Sequence, residues 1–551
     1  MFSKKEKYLF STILLLAAFL KFFHLSWGNG YFFHPDENNI ARSVINISRS
    51  SKLDPQFYAY GQLPAYLTFF TLSFLSYPVD FSRSILGLRF YSALANLLIV
   101  LVAIFFSKRI FKFKKPFLFL PPLFVAFTPA LIQAAHFGTP ASFLTLFFLL
   151  SLYFSNRFLL TKKSNFLILA AFFSGLAAGI KISGLIFLFC PLFALLLHLT
   201  ESPLSFSKFK KVAPLLFAII AAFIIAALLA APYLAFPKKS WPTLKYETEI
   251  ARGKIPIFYT RQFINTIPYL FQARKIFPYA LGWPLFITGS LGFLLMFLYF
   301  FPLKKIRKKK AKIYLLVFLS TAFYFLYFGQ VFVKWTRFMV PIMPLFSFGS
   351  TIFLEKASLF LKQKKFSPFL IRLFIIVNSL AIIFPGQRFF GAVYSKEDIR
   401  LTASKWMKKN LKKQAVILSE AGNVVNLPVG TNPSFRIINF DFYCLDQDPD
   451  ALPHLSQSFA QADYILVPSR RVYANHLRLK KDFPLTAAYY ELLFSGQLGT
   501  KIKEFSCLPD EKAEETWSVF DHPKIMIYEK KLFLSPQKFQ KLIKEKANLL
   551  Y

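Results

Sequence analysis

The chain has 551 residues, 55% of them hydrophobic and 19% aromatic, with 67 Lys and Arg against 27 Asp and Glu and a formal net charge of +40. So apolar a composition excludes a wholly soluble protein and fits a polytopic membrane protein with room for one soluble domain. The charge does not point to nucleic acid, because the basic residues fall in short clusters between apolar runs, the positive-inside signature of membrane topology.

In chain order, the run YLFSTILLLAAFLKFFHLSW follows KKEK and lacks a small-residue cleavage site, so it reads as an uncleaved first span over residues 8–27. Further runs near 89–107, 116–135, 141–156, 213–232, 280–302, 313–329, 338–354 and 369–386 approach the ~20 apolar residues a helix needs to cross a bilayer. The run 166–199 is too long for one span and dips at GIKISG, so it divides into two short helices. Basic clusters at 4–7, 108–115, 156–163, 208–211, 304–312 and 356–365 mark the cytoplasmic side, and each adjacent pair must then enclose an even number of crossings. Parity rejects one of three runs in the first interval. The weakest is GQLPAYLTFFTLSFLSYPVD, which reads as a re-entrant or surface-lying segment. Eleven spans result, with a large first loop from Gly28 to about Leu88, and the C-terminal domain, on the extracytoplasmic face. Loop 233–278 falls outside despite its many cations, among them Lys239, Arg252 and Arg261.

Nine acids precede residue 397 and eighteen lie from Glu397 onward, so the membrane body is expected over 1–392 and a soluble domain over 393–551. In that tail, KEDIRLTASKWMKKNL, RVYANHLRLKKDF and LTAAYYELLFS read as helices, and QAVILSE, DYILVPS, KIKEFSCL and KIMIYEKK as strands, a small α/β domain. Cys444 and Cys507 are either bridged or two unpaired thiols. Asp521-His522-Pro523 reads as a turn before the last strand rather than a metal site.

The first outside loop opens with FHPDENNIARS. Apolar Ile40, Val44 and Ile47 oppose Asn39, Arg42 and Ser43, which makes a short amphipathic helix suited to the interface. Asp36 and Glu37 suit its first turn, where the macrodipole favours carboxylates. They also suit chemistry: a carboxylate takes the proton of an attacking hydroxyl, while cations hold a departing phosphate. Other outward loops bring His136, Lys181, Lys334 and Arg337 among apolar spans, and ionisable groups at membrane depth are costly and functional by default.

The segments FHPDE, YAYGQLPAYL, LGLRFYSALANLLIVLVAIFFSKRIF, FTPALIQAAHFGTPASFLTLFFLLSLYF, GLAAGIKISGLIFL and RFMVPIMPLF, with a tail AEETWSVFDHPKIMIYEKK, come in an order that resembles the polyprenol-phosphate-dependent glycosyltransferases of the C-type superfamily. The nearest branch comprises relatives of dolichyl-phosphate-mannose protein mannosyltransferases and of lipid A aminoarabinose transferases. The resemblance implies a transfer of sugar from a polyprenyl-phosphate donor to a hydroxyl on a protein or envelope glycan or lipid, in the cell membrane. It implies Asp36 as base, with Glu37 supporting it or, if a divalent cation is used, helping Asp36 to ligate it. Lys181, Arg337 and Arg261 would face the donor phosphate, and His34, His136, Tyr60 and Gln62 would line the sugar or acceptor site. Ala141 stands where many relatives carry an acid in the second outside loop, which weakens any two-acid or metal-bridged scheme. Two other readings stand beside this one: a transporter or lipid flippase, against which no internal repeat is visible, and a catalytically inactive scaffold for envelope assembly.

Overall fold

The computed structural model describes residues 3–199, 206–299, 308–420, 427–429, 435–530 and 533–550. The basic cluster at 304–307 lies outside them, as do the side chains of the cluster at 208–211. The chain forms two compact units. The first comprises residues 1–25, 36–254 and 267–390, the second 26–35, 255–266 and 391–551. Segments 26–35 and 255–266, assigned from sequence to the membrane body, thus fold with the tail.

The first unit is a bundle of apolar helices. Among the described residues seven are long and apolar enough to cross a membrane, and two bent pairs, 117–136 and 272–298, bring the number to nine if each pair is one span. The other two of the eleven expected spans correspond to helices that fail this test. One is α1 (Lys4–Phe22), with charged residues at both ends, and the other is the sixteen-residue helix Asn165–Ile180. Length and composition therefore do not establish eleven.

The first outside loop holds two short helices, α2 (Pro35–Arg49) and α3 (Leu63–Phe74). At 1.5 Å per residue the twelve residues of α3 cover about 18 Å, well short of a ~30 Å hydrocarbon core. It leaves Phe70 and Phe74 exposed, as an interface-lying segment does. α2 buries Ile40, Val44 and Ile47 along one stripe. Next comes α4 (Phe81–Phe105), which runs on through a π-helical turn to Phe111. Asp80 caps its start through the Arg83 N–H (2.8 Å). At the far end Lys108 holds Glu6 (3.0 Å), which places the first two basic clusters side by side.

The run 166–199 is interrupted at Lys181, whose extended backbone (φ −156°, ψ 137°) ends helix Asn165–Ile180 before a 3₁₀ turn, Ile182–Leu188, begins. Small residues let the neighbours approach. A Cβ added to Gly175 would stand 2.2 Å from the Phe223 carbonyl oxygen, and one on Gly179 would stand 2.5 Å from that of Ala227.

The second unit contains a five-stranded mixed sheet of order β2-β1-β3-β5-β4. Its strands are β1 (Ala415–Glu420), β2 (Phe435–Phe440), β3 (Tyr464–Val467), β4 (Thr500–Phe505) and β5 (Ile525–Glu529). β2, β1 and β3 are parallel, and β5 and β4 are added antiparallel. Strand alternation divides the core into two layers. Ile417, Leu466, Ile525 and Ile527 pack with Ala403 and Met407 of helix Ile399–Asn410. Leu418, Ile465, Val467 and Met526 pack with Leu455, Tyr490 and Phe539 from three helices on the other face. The helix expected over RVYANHLRLKKDF is shorter, Tyr473–Arg478. Cys444 and Cys507 are unbridged. His522 is buried with Nδ1 on Asp521 (2.6 Å) and Nε2 on Asp510 (2.7 Å), while Tyr394 donates to Asp521 (2.7 Å). The tail's Asp-His pair is thus a buried charge network at the turn before β5, with both ring nitrogens occupied.

Candidate active site

The two adjacent acids of α2 face different surroundings. Successive helix residues are rotated by about 100°, so Asp36 and Glu37 cannot share a direction. Glu37 turns inward and is fully buried. Its Oε1 and Oε2 accept from Arg89 Nε (3.0 Å) and Nη2 (2.8 Å), and Oε1 also accepts the Gly138 N–H (2.5 Å). Arg89 donates its remaining arm to the Leu25 carbonyl (2.8 Å). This bidentate pair ties α2 to α4 and to the loop after helix Pro129–His136.

Asp36 faces outward. It forms an ion pair with Arg337 and accepts a hydrogen bond from the Tyr60 hydroxyl (3.3 Å). Its side chain is 18% exposed and that of Arg337 is 28% exposed, so both remain reachable. Lys181 stands close by, 5.2 Å from the Tyr60 ring and 4.7 Å from the Phe338 ring, a cation–π setting that holds the ammonium without consuming its three donors in carboxylate contacts. Arg337 lies over the Trp335 ring at 4.4 Å.

The seat of Tyr60 is built by Gly61, which donates to the Ile180 carbonyl (2.8 Å). A Cβ there would stand 2.0 Å from the Gly179 oxygen. Only glycine lets the 57–62 loop rest on the end of helix Asn165–Ile180 and bring Tyr60 to Lys181.

Tyr60, Lys181 and Arg337 line one end of a groove of about 540 Å³. Most of its other wall residues are apolar, including Leu185, Phe189 and Phe323, with Ser183, Thr248 and Arg252 among them, and Leu185 and Phe323 are exposed on the surface of the bundle. Glu247, on helix Pro237–Ala251, also lines it. Partial desolvation against the groove raises the Glu247 carboxyl above the usual range although the residue as a whole is exposed, and Lys181 and Arg337 pull it partly back. A cationic end next to a carboxylate, continuing into an apolar trough open to lipid, can hold an amphiphilic anion and take a proton beside it.

No protein-family model and no curated protein matches the sequence. Among solved structures, the apo oligosaccharyltransferase of Archaeoglobus fulgidus aligns with a TM-score of 0.53 at 14% identity, covering 91% of this chain and 74% of that one. The same organism's AglB in complex with an inhibitory peptide and a dolichol-phosphate gives 0.50 at 13% identity, covering 91% and 73%. ArnT of Cupriavidus metallidurans bound to undecaprenyl phosphate matches more weakly, 0.43 at 11%, over 97% of this chain and all of that one. The fold is that of the archaeal oligosaccharyltransferase. At these identities the likeness is one of fold, and it makes the chain a multi-pass membrane protein.

Within this fold, the structure gathers Asp36, Tyr60, Lys181 and Arg337 from four separate stretches of sequence. Glu247 joins them. Two further acids, Asp54 and Asp80, are otherwise engaged. Asp54 pairs with Lys239 and accepts from Tyr58 (2.7 Å), and Asp80 caps α4. Gln62 donates to the Tyr60 carbonyl (3.2 Å) and so braces the loop. His136 is buried with its ring nitrogens on the carbonyls of Ile132 (2.8 Å) and Phe23 (2.9 Å), contacts that tie two helix ends together and turn it away from a sugar. His34 and Arg261 belong to the second unit. His34 packs on Phe520 at 4.5 Å, and the Arg261 guanidinium meets His476 (2.8 Å) and lies 4.2 Å over Phe483, contacts within that unit.

A divalent cation does not fit the pair Asp36 and Glu37. Both Glu37 oxygens are held by Arg89 inside the bundle, and Asp36 already faces the cationic Arg337. Among the described residues no group of three His, Cys, Asp or Glu side chains could hold a metal ion.

Proposed function

We propose that this protein is a membrane glycosyltransferase that moves a sugar from a polyprenyl-phosphate donor to a hydroxyl of a protein or envelope glycan on the extracytoplasmic face. The observation that carries the reading is the groove whose cationic end, Lys181 and Arg337, adjoins Asp36 and whose length is apolar and open to lipid. One of its fold neighbours was solved with a dolichol-phosphate, an amphiphile of the same chemistry.

The donor's phosphate sits between Lys181 and Arg337, and its prenyl chain lies along Leu185 and Phe189. Phosphate then competes with Asp36 for the Arg337 guanidinium, so donor binding unmasks the carboxylate. The acceptor oxygen attacks the anomeric carbon as Asp36 takes its proton. The carbon–oxygen bond to phosphate breaks, and the electron pair leaves on the lipid phosphate, held by the two cations. Attack opposite the leaving group inverts the anomeric centre. Tyr60, donating to Asp36 and flanking Lys181, keeps the base and the phosphate site in register. Glu37 is a positioning residue.

The test is transfer from a radiolabelled polyprenyl-phosphate sugar in membranes carrying Asp36→Asn. Transfer should fall by two orders of magnitude or more, on the scale of lost general-base catalysis (about 10²–10⁴-fold). Transfer at the wild-type rate overturns the assignment.

A further inference from the structure

A second crevice opens on the bundle between α4 and helix Ala141–Thr161, with a volume of about 330 Å³. Its walls are almost wholly apolar and include Leu98, Leu101, Leu146 and Leu150, while Tyr153 and Arg109 close one end. Leu98 is exposed on the surface and Arg109 is exposed at the mouth.

Three features single out that mouth. Arg109 has no carboxylate partner among the described residues, and neither does Arg157, which lies 5.3 Å over the Phe166 ring. Arg109 and Tyr153 line the same end of the crevice, and Arg157 stands one helical turn beyond Tyr153 on the same face of helix Ala141–Thr161. That hydroxyl makes no hydrogen bond among the described residues. A guanidinium and a phenol thus close the end of an apolar crevice, with a second guanidinium one helical turn beyond the phenol.

The dimensions are those of one leaflet. From Leu98 to Arg109 the helix advances about 16 Å, and half of a ~30 Å hydrocarbon core is about 15 Å. From Arg89, beside the candidate active site, to Arg109 it advances about 30 Å, so this crevice serves the opposite leaflet. The polyprenyl-phosphate proposed above reaches the bundle from the other side, and this crevice is separate from it.

The geometry points to a binding site for an anionic phospholipid, with one acyl chain between Leu98 and Leu150 and its phosphate held by Arg109, Arg157 and Tyr153. The net negative charge of the headgroup matters, because two arginines left without acids at a membrane surface favour an anion by roughly fivefold each.

The purified full chain in detergent, titrated by native mass spectrometry with phosphatidylglycerol and separately with phosphatidylcholine, tests this. The wild type should retain phosphatidylglycerol preferentially. Arg109→Ala with Arg157→Ala should lower that retention on the order of 25-fold and lower that of phosphatidylcholine, whose choline offsets its phosphate charge, by much less, whereas Leu150→Trp should lower retention of both by filling the crevice. Equal retention of the two lipids by the wild type overturns the proposal, and so does undiminished phosphatidylglycerol retention by the double variant. The lipid comparison on the wild type stands even where a variant fails to fold. Sugar transfer plays no part in the readout.

Discussion

Replacing Glu37 by Gln separates the roles of the two acids of α2. The change keeps volume and one acceptor oxygen but leaves the Arg89 guanidinium charged in a fully buried setting. Two charge-assisted bonds of 2.8–3.0 Å are weakened, and the Gly138 N–H loses its ionised acceptor. Both side chains are at most 1% exposed, so the discount for solvent screening that applies to surface pairs does not apply. Removing one partner of such a pair costs about 3–5 kcal/mol, because the other charge remains buried and unpaired. Glu37→Gln should therefore unfold at a markedly lower temperature or denaturant concentration in detergent, and any folded fraction should retain donor binding. Glu37→Gln combined with Arg89→Met removes the stranded charge and should recover a large part of the stability, since an apolar replacement of a buried pair is often neutral or better. Wild-type unfolding of Glu37→Gln together with lost sugar transfer would refute the assignment and return Glu37 to the chemistry.

Lys181→Gln removes one charged donor from the phosphate end of the groove. At about 1.5–3 kcal/mol for a hydrogen bond to a charged group, the donor KM should rise roughly ten- to a hundredfold, and an unchanged KM would remove Lys181 from the site. Gly61→Ala drives a Cβ to 2.0 Å from the Gly179 oxygen. An overpacking cost of about 1–3 kcal/mol should appear as lower stability in unfolding assays and reduced transfer, as Tyr60 shifts from Lys181. In the second unit, burial opposes charge on His522, but Asp521 and Asp510 override it and push the ring up to about 10. The unfolded ring titrates near ~6.5, so this stabilisation is complete below that pH and is lost as pH rises through about 10. The melting-temperature gap between wild type and His522→Gln should narrow over that window, and a constant gap would contradict the network.

Features carried by local composition were legible in the sequence. The interruption of 166–199 at GIKISG appears as the break at Lys181, because two glycines and a lysine cannot continue an apolar helix without a break in its pattern. The segment after Gly61 was already excluded as a span by parity, and α3 is too short to be one. Features made by long-range contact were not legible. The Arg89–Glu37 pair joins residues 52 apart in sequence, and Asp36 meets Arg337 across 301. Arg261 looked like a phosphate ligand because its loop is rich in cations, and nothing local says that 255–266 folds with the tail. β2 was missed because FRIINF is a short apolar run with one charge, and its strand character comes from pairing with β1.

The opposed settings of Asp36 and Glu37 also bear on how such a site avoids wasting its donor. A carboxylate exposed beside a bound sugar phosphate activates water as readily as an acceptor hydroxyl. Here the outward acid is paired with Arg337 before any donor arrives, and the inward acid is locked to Arg89. An anion that draws Arg337 away frees Asp36, and a phosphate at the cationic end of the groove is such an anion. Arg337→Gln should then show two effects at once: a weaker donor KM, and a larger share of donor hydrolysed without acceptor, because the base is no longer masked. A loss of donor affinity with no rise in the hydrolysis-to-transfer ratio would leave Arg337 as a phosphate ligand and dismiss the masking.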